Sequence, residues 1–270
     1  MLEYLKNGWK ATRRQLPLMV ILFIYRFIWA FILYNFVRTV TTPLLHRYPG
    51  ALSAYSSHLF IAESQFRLAK TDLADSYLWL LALVLLVRIS LTPLINAGLY
   101  YSISSGDAPK AANFLRGMRM LGKPFFYIYF AQAFLLLAPL FWLIPIGMHS
   151  IGESFGLLSL VRALLPLLAG YLLYTAVVYL LFMYIQFGKA SDKKLIFSLI
   201  LFARYLPSIL WLAFTLFAIT GLVGLITLAA SFWWAGLFAV IVHLGYYFVK
   251  TLFEVWKLSS NYQLWMSKQN

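Results

Sequence analysis

The chain is 270 residues long, 63% hydrophobic and 11% charged, with a mean hydropathy of +0.81 and no cysteine. That much apolar surface has no place on a water-soluble globule, so the composition excludes a soluble enzyme, a nucleic-acid-binding domain, a disordered chain and a disulfide scaffold, and points to an integral membrane protein. Its 22 Lys and Arg against 8 Asp and Glu give a formal charge of +14, which in a membrane protein reports topology before it reports a ligand.

A helix needs about 20 apolar residues to cross the hydrocarbon core. Residues 17–37, 77–101, 125–147, 163–187, 207–230 and 232–256 meet that need, which predicts an all-α bundle of six transmembrane helices. The first run, from Leu16, is too long for a signal h-region and lacks a small-x-small cleavage site, so it is expected to stay as a span. The longest polar gap, 41–76, is about 36 residues and too short for a separate soluble domain, so one membrane domain over 1–270 is expected. The apolar stretch 195–231 is longer than one crossing, and the Arg204-Tyr205-Leu206-Pro207 break within it predicts a shallow helix followed by a single span.

Cations in the gaps set the orientation. Lys6, Lys10, Arg13 and Arg14 precede the first span; Lys110, Arg116, Arg119 and Lys123 separate the second from the third; Lys189, Lys193, Lys194 and Arg204 separate the fourth from the fifth; Lys250, Lys257 and Lys268 mark the tail. The alternate gaps hold only Arg38, Arg47, Arg67, Lys70 and Arg162, partly balanced by Glu63, Asp72, Asp75 and Glu153. Both termini are therefore expected on the cytoplasmic side.

The basic segments share a layout that reads as three copies of one unit, at about 1–101, 102–187 and 188–270: a short basic amphipathic helix, a cation near a proline, then a two-span hairpin. In the first copy Leu2, Leu5, Trp9 and Thr12 share a face opposite the cations and Pro17 opens the span. In the second Ala111, Phe114, Leu115, Met118 and Leu121 oppose Lys110, Asn113, Arg116 and Lys123, with Pro124 next; the third runs from Lys193 to Arg204, with Pro207 following. Such helices are expected to lie at the interface with their cations on anionic lipid headgroups of the cytoplasmic face, or to offer a docking surface to a membrane or cytosolic protein partner.

Charges deep inside a span are the exceptions to topological use. Arg26 and Arg88 fall about 14–17 Å into the first two spans at ~1.5 Å per residue, and His243 is at similar depth in the last. Three arrangements would satisfy the arginines. They bind an anionic lipid or solute with the planar guanidinium fork, they pair with a carboxylate of another subunit, or they hydrogen-bond to groups freed at helix breaks, where Pro93, Asn96, Asn35, Gln132 and Tyr25 stand nearby in sequence. Pro93, Pro139, Pro145 and Pro166 are expected to kink their spans or leave carbonyls free. Tyr77, Trp79, Tyr100, Tyr101, Trp233, Trp234 and Trp256 are placed as an interfacial aromatic belt.

In the outer segment, 58–70 reads as an amphipathic helix with Leu59, Ala62, Phe66 and Ala69 on one face. His46, His58, Glu63, Asp72 and Asp75 lie there without metal-ligand spacing, and the chain has no Walker motif, no GxSxG and no paired intramembrane carboxylates. Catalysis, a metal and a cofactor are therefore not expected, nor is a nucleic-acid partner.

From Pro93-Leu94-Ile95-Asn96-Ala97-Gly98-Leu99-Tyr100-Tyr101 into Gly106-Asp107 and the helix to Lys123-Pro124, the chain resembles a broad bacterial group of six-span integral membrane proteins of unknown function. That group is related to the membrane domain that precedes the catalytic domain in some glycerophosphodiester phosphodiesterases. The likeness is one of layout and hydrophobicity over most of the chain; it implies a multi-pass protein of a bacterial inner membrane and carries over no functional residue. Two functions follow as expectations: binding or moving an anionic lipid or solute at the midplane cations Arg26, Arg88 and His243, or a non-catalytic scaffold or permease-like subunit of a membrane complex.

Overall fold

A computed structural model describes residues 2–45, 73–105, 111–153, 157–233 and 237–269, and among these the regular structure is entirely helical. The helices are α1 (Leu2–Arg14), α2 (Leu16–Leu45), α3 (Leu73–Ser104), α4 (Ala111–Leu137), α5 (Leu140–Glu153), α6 (Leu157–Ala190), α7 (Leu195–Trp233) and α8 (Leu237–Ser267). The outer helix expected at 58–70 and the Gly106-Asp107 lead-in lie outside the described residues.

Among the described residues, five stretches are long and apolar enough to cross a membrane: Leu16–Thr39, Tyr77–Ser104, Ala112–Ser150, Val161–Ala190 and Leu195–Ser231. The chain is accordingly a multi-pass helical membrane protein. The sixth expected span, 232–256, lies partly outside the described residues; from Leu237 its backbone belongs to α8.

Contacts divide the chain into two units, Met1–Val20 with Pro93–Asn270, and Ile21–Thr92. The smaller unit holds most of α2 and the first part of α3, tied where the Tyr25 hydroxyl meets Thr92 Oγ1 at 3.1 Å. Its outward surface is apolar, with Phe27, Phe31, Leu83 and Leu86 exposed, as befits a surface solvated by acyl chains.

The larger unit has its core where helix ends converge. Ser104 Oγ donates to Ala190 O and the Tyr262 hydroxyl donates to Ser104 O, each at 3.3 Å, so the C-terminal ends of α3, α6 and α8 meet at one residue. Phe187, fully buried, is ringed by Tyr100, Tyr184, Tyr262 and Trp265 at centroid distances of 5.1, 5.8, 5.4 and 6.4 Å. The i, i+3 spacing of Tyr184 with Phe187, and of Tyr262 with Trp265, puts each pair on one helix face and aims both pairs inward. Of the residues assigned to the aromatic belt, Tyr100 proves to be core and Trp256 is half-buried against α1. Tyr100 is only 5% exposed and packs on Phe125 and Phe187, and Trp256 donates its Nε1 proton to Leu5 O at 3.0 Å while its ring meets Trp9 edge-on. Trp79 and Trp233, 77% and 86% exposed, face outward as a belt residue should.

The three basic entry segments each pack on the end of a span. A Cβ added at Gly8 of α1 would lie 2.7 Å from Ser260 Cα, so α1 and α8 touch backbone to backbone. Gly98 of α3 abuts Phe114 of α4, Gly117 of α4 abuts Tyr101 of α3, and Gly188 of α6 abuts Ser198 of α7. Small residues at these points permit the approach, which is how helices associate where water gives no hydrophobic drive. The expectation that the apolar face of α1 rests on headgroups changes in consequence: Gly8 and Thr12 are buried and Leu5 and Trp9 partly covered, all toward α8, while Lys6, Lys10, Arg13 and Arg14 stay exposed.

How each entry segment joins its span differs. The α1–α2 junction breaks at Gln15, where Gln15 N donates to Thr12 O and Leu18 N to Gln15 O in tight i, i+3 bonds. In α7 the backbone leaves the helical range at Tyr205, φ −109° and ψ 16°, because Pro207 offers no N–H to Ala203 O and its ring crowds that carbonyl. Both breaks fall two residues before the proline of an Arg-x-Leu-Pro sequence, Arg14 to Pro17 and Arg204 to Pro207. At 39 residues α7 is longer than a ~30 Å core requires, and the bend at Tyr205 interrupts it ten residues in. The second segment is not a separate helix at all, since α4 runs through Pro124, with Phe125 buried against Tyr100 immediately after it.

The third span is itself broken. α4 ends at Leu137, Ala138 and Pro139 form a turn, and α5 starts at Leu140. Pro139 has no proton for Leu135 O, and two tyrosines of α6 supply what is missing: Tyr174 donates to Leu135 O at 2.7 Å and Tyr171 to Leu136 O at 3.0 Å.

Candidate functional site

Arg26 lies on α2, half-buried, and Arg88 lies on α3 with its side chain exposed; both belong to the Ile21–Thr92 unit. They flank one polar contact. The Thr92 hydroxyl donates to Arg88 O at 2.7 Å, the usual back-bond of a helical threonine, so the proton shared with Tyr25 at 3.1 Å comes from the phenol. Arg26 directly follows Tyr25, and Arg88 precedes Thr92 by one turn, so the two guanidiniums branch from backbone within about 6 Å, one helical turn, of this contact along their helices. The Tyr25 ring is held in turn by Trp29, edge-on at 6.2 Å.

Around Arg88 the surface of α3 is apolar: Leu85, Leu86, Val87 and Ile89 are all exposed. A guanidinium on such a surface, deep in a span, is costly unless an anion, water or snorkelling meets it. Asn35 turns its Nδ2 to Phe31 O at 2.9 Å and stays within α2, and Asn35 O takes the Thr39 hydroxyl at 2.9 Å. Of the groups expected to serve the arginines, Tyr25 links α2 to α3. His243 falls in α8, in the other unit, and its side chain lies outside the described residues. Arg26 and Arg88 thus lie on the two helices of one hairpin, and His243 lies on α8.

At the core end of the larger unit, beyond the spans, two ionisable groups are shifted by burial. Desolvation pushes the Tyr262 phenol above its usual range and holds Lys257 below the usual lysine range, with the Lys257 ammonium 4.6 Å from the centroid of the Tyr179 ring. Periodicity in the sequence marks both helices as apolar but is silent on this convergence, since it depends on how three helix ends are rotated toward Ser104. Among the described residues, no group of three or more His, Asp or Glu is gathered as metal ligands would be.

No protein-family model matches the chain, and neither a curated protein nor a solved structure matches it.

Proposed function

We propose that the chain is a non-catalytic protein of a bacterial inner membrane that receives the anionic group of a lipid or lipid-like solute at Arg26 and Arg88. The observation that carries this reading is the exposed Arg88 guanidinium on an otherwise apolar, outward-facing stretch of α3, one turn from the Tyr25–Thr92 contact that fixes it against α2. A ligand arriving laterally through the bilayer meets Arg88 first, and an Arg fork fits phosphate or carboxylate better than a point charge does. His243 stands as a third cation of the proposal on sequence depth alone.

Six spans with both termini in the cytoplasm are part of the same proposal. The Ser267 hydroxyl lies 3.1 Å from the Tyr4 hydroxyl, which supports an even number of crossings between the two ends of the described chain. Among the described residues five stretches qualify on length and composition, and the proposed sixth crossing is 232–256, whose described part is the first half of α8. A threefold repeat is supported by the entry segments, which pack on the ends of α8, α3 and α6 in turn, and by the meeting of those three ends at Ser104.

The test is native mass spectrometry of the full chain released from membranes in mild detergent, with lipid identification. Arg88→Gln is expected to cut retained anionic lipid about tenfold, the loss of ~1.4 kcal/mol, with helicity and thermal midpoint unchanged. Retention equal to that of the parent chain would refute the reading. A stoichiometric co-purifying protein, with lipid unaffected, would instead favour the scaffold or permease-like subunit.

A further inference from the structure

Two cations from distant parts of the chain are drawn to one ring at the bend of α7. The Arg204 guanidinium sits 5.7 Å from the centroid of Tyr205, and the Lys268 ammonium, from the other end of the larger unit, sits 5.0 Å from the same centroid. Arg204 is exposed and Lys268 half-exposed, so both are open to a ligand. Two exposed cations gathered on one ring make a locally positive patch, which favours an anionic group. Leu195, Ile196 and Ile200, on the turns before the bend, are exposed and apolar, which sets the depth of the cluster at the boundary between acyl chains and headgroups.

We propose that Arg204 and Lys268, gathered on Tyr205 at the bend of α7, bind a phosphate group at the membrane interface. The guanidinium takes two phosphate oxygens in its planar fork, the ammonium takes a third as a point charge, and the Tyr205 ring holds the two cations in place by cation–π contact. This site is independent of Arg26 and Arg88, which lie in the other unit. The phosphate is that of a phospholipid headgroup or a free phosphate in water, and the two sources separate experimentally.

The full chain in dodecyl maltoside is titrated with phosphatidylglycerol and, separately, with inorganic phosphate, and bound species are counted by native mass spectrometry. The double variant Arg204→Gln/Lys268→Gln is expected to bind the effective probe about tenfold more weakly or worse, whereas Lys250→Gln, which removes an exposed cation elsewhere on α8, leaves it unchanged. Loss confined to phosphatidylglycerol assigns the site to a lipid headgroup, and loss of inorganic phosphate assigns it to a soluble phosphate. Lys268→Arg keeps the charge and is expected to keep binding, which separates a lost ligand from a damaged fold. If the double variant matches Lys250→Gln with both probes, the proposal is overturned. Because Arg88→Gln is expected to leave phosphate at this site untouched, failure here and failure at the arginine pair are distinguishable.

Discussion

Gly8 is the residue on which the packing of α1 turns. The amphipathic pattern of α1 weights Leu5 and Trp9, yet the point of closest approach to α8 is a glycine, which carries no hydrophobic signal. A Cβ there would meet Ser260 Cα at 2.7 Å and Ser260 N at 2.8 Å, and backbone cannot swing aside as a side-chain tip can. Gly8→Ala is therefore expected to lower stability by about 1–3 kcal/mol, the usual cost of overpacking a tight contact. Gly170, which has nothing within 4 Å of its added Cβ, is the matched control: Gly170→Ala is expected to be neutral or mildly stabilising, because alanine favours the helix. Thermal unfolding in detergent reads both, and equal midpoints for the two variants would mean that α1 does not bear on α8 as described. Arg88 illustrates the other side of the same scale. Its depth and isolation from carboxylates are legible in sequence, but whether it points to lipid or to a neighbouring helix depends on the rotation of α3, which composition does not encode.

Between elements, the break at Ala138–Pro139 shows how a span tolerates a missing proton. Proline in the sequence foretells the kink; what it does not foretell is that α6 presents Tyr171 and Tyr174, at i and i+3, to the two carbonyls at the break. Each phenol should be worth on the order of 0.6–1.7 kcal/mol, the range for hydrogen bonds between helices in bilayers. Tyr174→Phe is expected to lower the unfolding midpoint in the parent chain and to do so less in a Pro139→Ala background, where residue 139 recovers an N–H for Leu135 O. A double-mutant cycle measures that coupling directly, and strict additivity would show that Tyr174 packs there without capping the break. The α7 bend follows the same logic with a different outcome. There the proline that the Arg204–Pro207 sequence signals does break the backbone, at Tyr205, within a 39-residue helix.

At the scale of the whole molecule, hydropathy makes the helical membrane class readable, because it is set by transfer free energies that act residue by residue. The division into two units, and the convergence of α3, α6 and α8 on Ser104, are not readable in that way: they rest on pairings between helices whose outer faces are all equally apolar. Topology is where the two kinds of information meet. The cations of α1, of α4 before Pro124 and of the α6–α7 turn are exposed, and Tyr4 touches Ser267, so one side of the membrane should hold them all. A chain without cysteine makes this testable without background. Single substitutions Lys10→Cys, Arg116→Cys and Lys193→Cys are expected to react with a membrane-impermeant maleimide only after the cytoplasmic face is opened, whereas Arg162→Cys, exposed near the start of α6, should react in intact cells. If Lys10→Cys and Lys193→Cys label from opposite sides, the crossings between them are odd in number and the six-span arrangement fails. If all three basic positions label from outside while Arg162→Cys does not, the span count stands and only the cytoplasmic assignment is reversed.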